Sequence, residues 1–196
     1  LSVLNLIGLV MVLSASSVSA LDDHGSAWYV VLRQLMWLSL GSSACVFLTR
    51  VDYHRWRRWS TPALAFSGAL LVLVLVPGVG LNINGSTRWL GYGPLTLQPS
   101  ELAKLAVLLF VADLLARRAA WMNDVRLTMV PATLVFSGFA SLLMLQPNLG
   151  TTIILGAIVM SVLYVAGTPL GPLCGIGVLG TLAASALALG ASYRRD

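Results

Sequence analysis

The chain has 196 residues, 58% of them apolar and only 10% charged, with 12 Lys+Arg against 7 Asp+Glu for a net charge of +5. Water-soluble domains carry about 25% charged residues, so this chain cannot coat a soluble surface, and its long apolar runs exclude disorder. The basic residues are too few, and too confined to short stretches between those runs, for a nucleic-acid partner. The composition is that of an all-α integral membrane protein.

A bilayer core takes about 20 mainly apolar residues per helix. Runs of that kind predict spans at about 1–20, 28–49, 61–79, 99–116, 127–146, 150–167 and 170–192, which make seven transmembrane helices in a single polytopic membrane domain over 1–196. The first run ends Ser17-Val18-Ser19-Ala20, like a signal-peptide cleavage site, but it has no basic residues before it, so it is read as a span. The chain starts inside an apolar run without a Met and stops at Tyr193-Arg194-Arg195-Asp196, from which a truncated fragment is expected. Cys45 and Cys174 both fall inside apolar runs and are read as packing residues rather than a disulfide.

Orientation follows from basic residues in short loops, which favour the cytoplasmic side. The 50–60 loop holds Arg50, Arg55, Arg57 and Arg58, and the 117–126 loop holds Arg117, Arg118 and Arg126. These loops are an even number of spans apart, so both are expected inside. The 21–27 and 80–98 loops, with Asp22, Asp23 and Arg88, are then outside, and Arg33 can snorkel from the outer end of its span. In the last two runs Gly156, Gly167, Gly171, Gly175, Gly177 and Gly180 predict tight helix packing.

The polar groups near the outer face need reasons. Asn84-Gly85 marks a turn in the 80–98 loop. Arg88-Trp89 follows, with Arg88 serving either lipid headgroups or a substrate. Gln98-Pro99-Ser100-Glu101-Leu102-Ala103-Lys104 then runs into the fourth span, with Pro99 suited to a first helical turn. Glu101 and Lys104 are three apart and share a face. Lys104 stands about 7.5 Å along the axis from Pro99, in the outer third of the bilayer, where a charge is costly and usually faces a cavity. A functional role for the pair is expected. Asp113, four residues before Arg117, reads as a local ion pair without chemistry. Gln146-Pro147-Asn148-Leu149-Gly150-Thr151 breaks and restarts a helix, placing Gln146 and Asn148 at the outer face. No metal-ligand cluster, nucleophile set or phosphate-cradling loop is visible, and His24 and His54 fall on opposite sides.

Together these segments resemble the SEDS family, the FtsW/RodA/SpoVE group. The resemblance rests on Val10-Met11-Val12-Leu13-Ser14-Ala15-Ser16, Arg33-Gln34, Asn84-Gly85-x-x-Arg88-Trp89, the block from Gln98 to Lys104, the block from Gln146 to Thr151, and Tyr193-Arg194-Arg195. These occur in the family's order, and their form is nearest the FtsW cell-division branch. The resemblance implies a bundle of roughly ten helices, multi-pass in the bacterial plasma membrane. It implies a peptidoglycan glycosyltransferase polymerising lipid II, the undecaprenyl-diphosphate-linked disaccharide peptide, on the outer face during septal wall synthesis. It also implies a single-pass class B transpeptidase and other divisome proteins as partners.

By motif, Glu101 and Lys104 carry over as functional residues, and Gln98, Ser100, Gln146, Asn148 and Arg88 join them along the substrate path. The family's proposed catalytic Asp belongs to a His-Thr-Asp-Phe-like motif after the seventh span, beyond Asp196. Asn148 stands where the family has Asp, which removes a carboxylate but keeps hydrogen-bonding capacity. No cofactor is implied for this chain, and the sequence is silent on a divalent cation for the full-length enzyme. A lipid-linked precursor flippase or transporter and a non-catalytic scaffold of the division machinery are the alternatives.

Overall fold

A computed structural model describes residues 5, 7, 8, 10, 11, 28–83, 86–92 and 95–190. Most of the expected first span, the Asn84-Gly85 turn and the terminal Tyr-Arg-Arg lie outside them. The chain divides into two compact units, residues 1–53 and 54–196. In the first, α1 runs Trp28–Thr49, matching the second expected span. Its Ser39, Ser43 and Thr49 hydroxyls donate to the carbonyls of Met36, Ser39 and Val46, each at 2.8 Å.

The second unit begins one residue into α2, Tyr53–Val74. The span expected at 61–79 is thus helical eight residues earlier, and Arg55, Arg57 and Arg58, assigned to a loop, lie in its first two turns while Arg50 precedes it. Hydropathy marks where a chain meets lipid, whereas Arg and Trp are compatible with a helix that continues past that boundary. The helix stops before Pro77-Gly78, where Gly78 adopts φ +88°.

The outer loop expected at 80–98 is a three-stranded antiparallel meander, so the all-α expectation is corrected by a small sheet. Strands β1 (Leu81–Ile83), β2 (Ser86–Tyr92) and β3 (Leu95–Leu97) lie in the order β1-β2-β3. Leu81 pairs with Trp89 and Ile83 with Ser86, across a bulge between Leu81 and Asn82; Leu90 pairs with Leu97 and Tyr92 with Leu95. Both connections span two residues, the length favoured for hairpins.

Four helices follow: α3 Pro99–Arg117, α4 Val125–Leu145, α5 Leu149–Val165 and α6 Leu170–Gly190. Helix α5 packs against α3, α4 and α6, while α3 also touches α4 and β2. The core repeats at helical spacing. Ala103, Val107, Val111 and Leu115 recur every four residues on α3, and Leu155, Val159 and Leu163 do the same on α5. Met129, Ala132, Phe139 and Leu143 of α4 and Leu71 of α2 close it. Gly156 admits Phe136, whose Cζ lies 3.3 Å from where a Cβ would stand, and Gly177 likewise admits Met160. Gly171, Gly175 and Gly180, expected to pack tightly, have open space beside them.

The outer faces of the unit are lipid-like. Leu134 and Leu145 are 67% exposed and Val165 is 83% exposed, a surface that water would penalise heavily. On the uncovered faces Ser141, Ser161, Thr181 and Ser185 return their hydroxyls to carbonyls three or four residues back, so these donors do not need solvent. Among the described residues α4 is the one helix both long and apolar enough by itself to cross a membrane; 34–49, 149–165 and 170–186 are shorter apolar stretches.

Candidate functional site

At one end of the second unit, the expected site residues fall into two sets. The first builds on the α4–α5 corner. Gln146 ends α4 and is 2% exposed; its Nε2 donates to the Leu71 carbonyl at 3.1 Å, tying the corner to the end of α2. Arg88, on β2, donates from Nε to the Gln146 carbonyl at 3.0 Å and from Nη2 to the Pro147 carbonyl at 2.6 Å. A guanidinium at a helix C-terminus satisfies carbonyls that the helix cannot and meets the negative end of its dipole. Asn148 starts α5: its side chain accepts from the Thr151 amide at 3.4 Å, and its carbonyl accepts from the Thr152 hydroxyl at 2.9 Å. Gln146 and Asn148, expected on the same side of the membrane as Glu101, lie at the same end of the unit and are buried in the corner.

The second set lies on the first turns of α3. Gln98 occupies the cap position with extended backbone, and Pro99 opens the helix, where its missing N–H costs nothing. The Glu101 amide donates to the Gln98 carbonyl at 3.0 Å. Lys104 Nζ lies 2.8 Å from Glu101 Oε1; the lysine side chain is 19% exposed and the glutamate 59%. The lysine side chain is therefore mostly enclosed while that of its partner faces outward. Ser100 Oγ and Asn148 Nδ2 are buried without a hydrogen-bond partner among the described residues. Such groups cost about 1–3 kcal/mol each, so both start turns, at the N-termini of two helices that pack together, hold unused polar capacity.

At the opposite end stands a cluster that sequence reasoning saw only in part. Asp113 pairs with Arg117 Nη2 at 2.8 Å, as the four-residue spacing predicts. It also accepts from Arg57 Nε at 2.7 Å and from the Ser60 hydroxyl at 3.0 Å. The available signal was that Arg57 and Ser60 stand three apart, which places them on one helix face once 53–60 is read as helix. Arg118 donates to the Leu127 carbonyl, holding the start of α4 at this same end. Among the described residues no group of three or more His, Cys, Asp or Glu is placed to hold a metal ion.

Apolar helices with uncovered lipid-like faces, hydroxyls turned back on their own helices and charges gathered at the two ends define an integral membrane protein. The chain belongs to the FtsW/RodA/SpoVE family, described as Cell cycle protein, which it matches over residues 1–196. It is 39% identical over 189 residues to Stage V sporulation protein E of Bacillus subtilis, covering 96% of this chain and 51% of that protein. It is 37% identical over 198 residues to the probable peptidoglycan glycosyltransferase FtsW of Mycobacterium tuberculosis, covering 100% of this chain and 37% of that protein. The fold matches a chain solved in a study of structural coordination of polymerization and crosslinking by a peptidoglycan synthase complex, with a TM-score of 0.69 and 33% identity over 96% of this chain and 56% of that one. The chain thus spans about half or less of the length of the curated relatives it matches.

Proposed function

We propose that this chain forms part of a peptidoglycan glycosyltransferase that polymerises lipid II on the outer face of the bacterial plasma membrane. It contributes about seven of the enzyme's roughly ten spans, with the Arg57 end in the cytoplasm and the Arg88 end outside. The observation that carries the reading is the enclosed Lys104, held 2.8 Å from Glu101 on the opening turns of α3. A positive side chain near a helix N-terminus is placed against the dipole, so its cost must be offset by something negative. Glu101 offsets it at rest. A diphosphate of a lipid-linked sugar does so when bound, and charge stabilisation of that leaving group is the service such a reaction needs. The base that deprotonates the acceptor hydroxyl is assigned to the carboxylate that the family resemblance puts beyond Asp196. A relative solved in a complex that couples polymerization to crosslinking supports a single-pass transpeptidase as partner.

The test is made on the full-length protein, with glycan chains formed from lipid II as the readout. Lys104→Ala abolishes polymerisation while insertion and thermal unfolding stay normal. Lys104→Arg restores part of it, because a planar fork does not replace a compact ammonium. Glu101→Gln is milder, since it only orients the lysine. Normal polymerisation by a well-folded Lys104→Ala protein would overturn the proposal.

A further inference from the structure

The Asp113 cluster holds more positive charge than a clamp needs. Asp113 is enclosed, with its side chain 9% exposed, and receives Arg57, Ser60 and Arg117. One arginine would neutralise it. Two are present, and their side chains remain 49% and 56% exposed. Arg57 commits only Nε to the carboxylate. Its two terminal nitrogens, the edge that forks onto an oxyanion, have no partner among the described residues. Arg58, next to Arg57 on α2, is exposed, as is Arg55 one turn earlier. Trp59 is 66% exposed on the same stretch, and such rings settle at headgroup depth. The cluster sits where α2 begins and α3 ends, so both helices run from it into their apolar lengths. Its excess charge therefore lies at the membrane surface rather than within the membrane.

We propose that Arg57 and Arg117, spread on either side of Asp113, form a binding site for the phosphodiester of an anionic phospholipid, with Arg58 reinforcing the charge and Trp59 seated beside the acyl esters. Asp113 bonds both guanidinium groups in the absence of lipid, so it competes with the phosphodiester for them and subtracts one charge from the site. Basic clusters at the end of a transmembrane helix recognise anionic headgroups in this way. This site is independent of the chemistry proposed at the other end.

Charge arithmetic separates the lipid site from a mere clamp, because the two give opposite signs for one variant. Full-length protein is purified, exchanged into phosphatidylcholine, and titrated with phosphatidylglycerol, with bound lipid counted by native mass spectrometry. The wild type retains phosphatidylglycerol in preference to phosphatidylcholine, and less of it at high ionic strength. Arg57→Gln/Arg117→Gln weakens binding by about fivefold per arginine. Because that variant strands a buried carboxylate, Arg57→Gln/Asp113→Asn/Arg117→Gln is tested beside it and behaves the same while unfolding normally in phosphatidylcholine. Asp113→Asn, which keeps both arginines and removes the opposing charge, binds phosphatidylglycerol more tightly. Equal loss of lipid in Asp113→Asn and in the arginine variants, or no preference for phosphatidylglycerol in the wild type, would overturn the proposal.

Discussion

Arg88 donates to two successive carbonyls, Gln146 and Pro147, where α4 ends. From sequence it could serve a headgroup or a substrate; in the fold it holds the meander onto the α4–α5 corner. Its partners lie 58 and 59 residues away, and no local rule reaches that far. The pairs that were legible are those within one helical turn: Glu101 with Lys104 and Asp113 with Arg117. Each follows from side chains three or four residues apart sharing a face. The clamp makes a prediction for Arg88. Arg88→Ala leaves two helix-end carbonyls without their charged donor, and removing such bonds costs about 1.5–3 kcal/mol each. Thermal unfolding of the full-length protein should therefore fall by several degrees, with Arg88→Lys intermediate because an ammonium lacks the fork. An unchanged melting temperature together with lost polymerisation would instead assign Arg88 to the substrate.

The elements show which signals survive in the sequence. The bounds of α1 and α3 to α6 agree with the apolar runs to within two residues, because for these the lipid boundary and the helix boundary coincide. They part at α2, where Arg55, Arg57 and Arg58 belong to the helix but not to its apolar length. The meander leaves little trace in the sequence for another reason. Two of its strands have three residues each, too short for alternation to stand out, and only the Asn84-Gly85 turn was visible. The link from α2 into the meander is tight. A Cβ on Gly80 would lie 2.8 Å from the Val74 carbonyl oxygen and 3.3 Å from Thr87 Cβ. The first of these is backbone and cannot rotate away. Gly80→Ala should thus displace β1 from the end of α2 at a cost of about 1–3 kcal/mol, the range for overpacking. Hydrogen exchange should report faster opening of the β1 and β2 amides than of α5. Equal protection in wild type and variant would contradict this packing.

At the scale of the second unit, the fold sorts charge by end. Asp113 brings the start of α2 to the end of α3, and Arg118 brings in the start of α4, so Arg55, Arg57, Arg58, Arg117 and Arg118 gather at one end. Arg88 joins the corner of α4 and α5 at the other. The loops that sequence reasoning put on one side are thus on one side of the bundle, and the positive-inside rule then orients it. Cysteine labelling checks the orientation, and the structure chooses the positions. Ser60 is 1% exposed and bonded to Asp113, so a cysteine there would be sealed whichever side it faced. Asn123, between α3 and α4, and Thr87, on β2, are both exposed. The native Cys45 and Cys174 are exposed as well and must first be replaced by alanine. In intact protoplasts Thr87→Cys should react with an impermeant thiol reagent, and Asn123→Cys should react only after the membrane is opened. The reverse pattern would invert the molecule, move the Glu101–Lys104 pair to the cytoplasmic face, and remove the physical basis for lipid II polymerisation at that site.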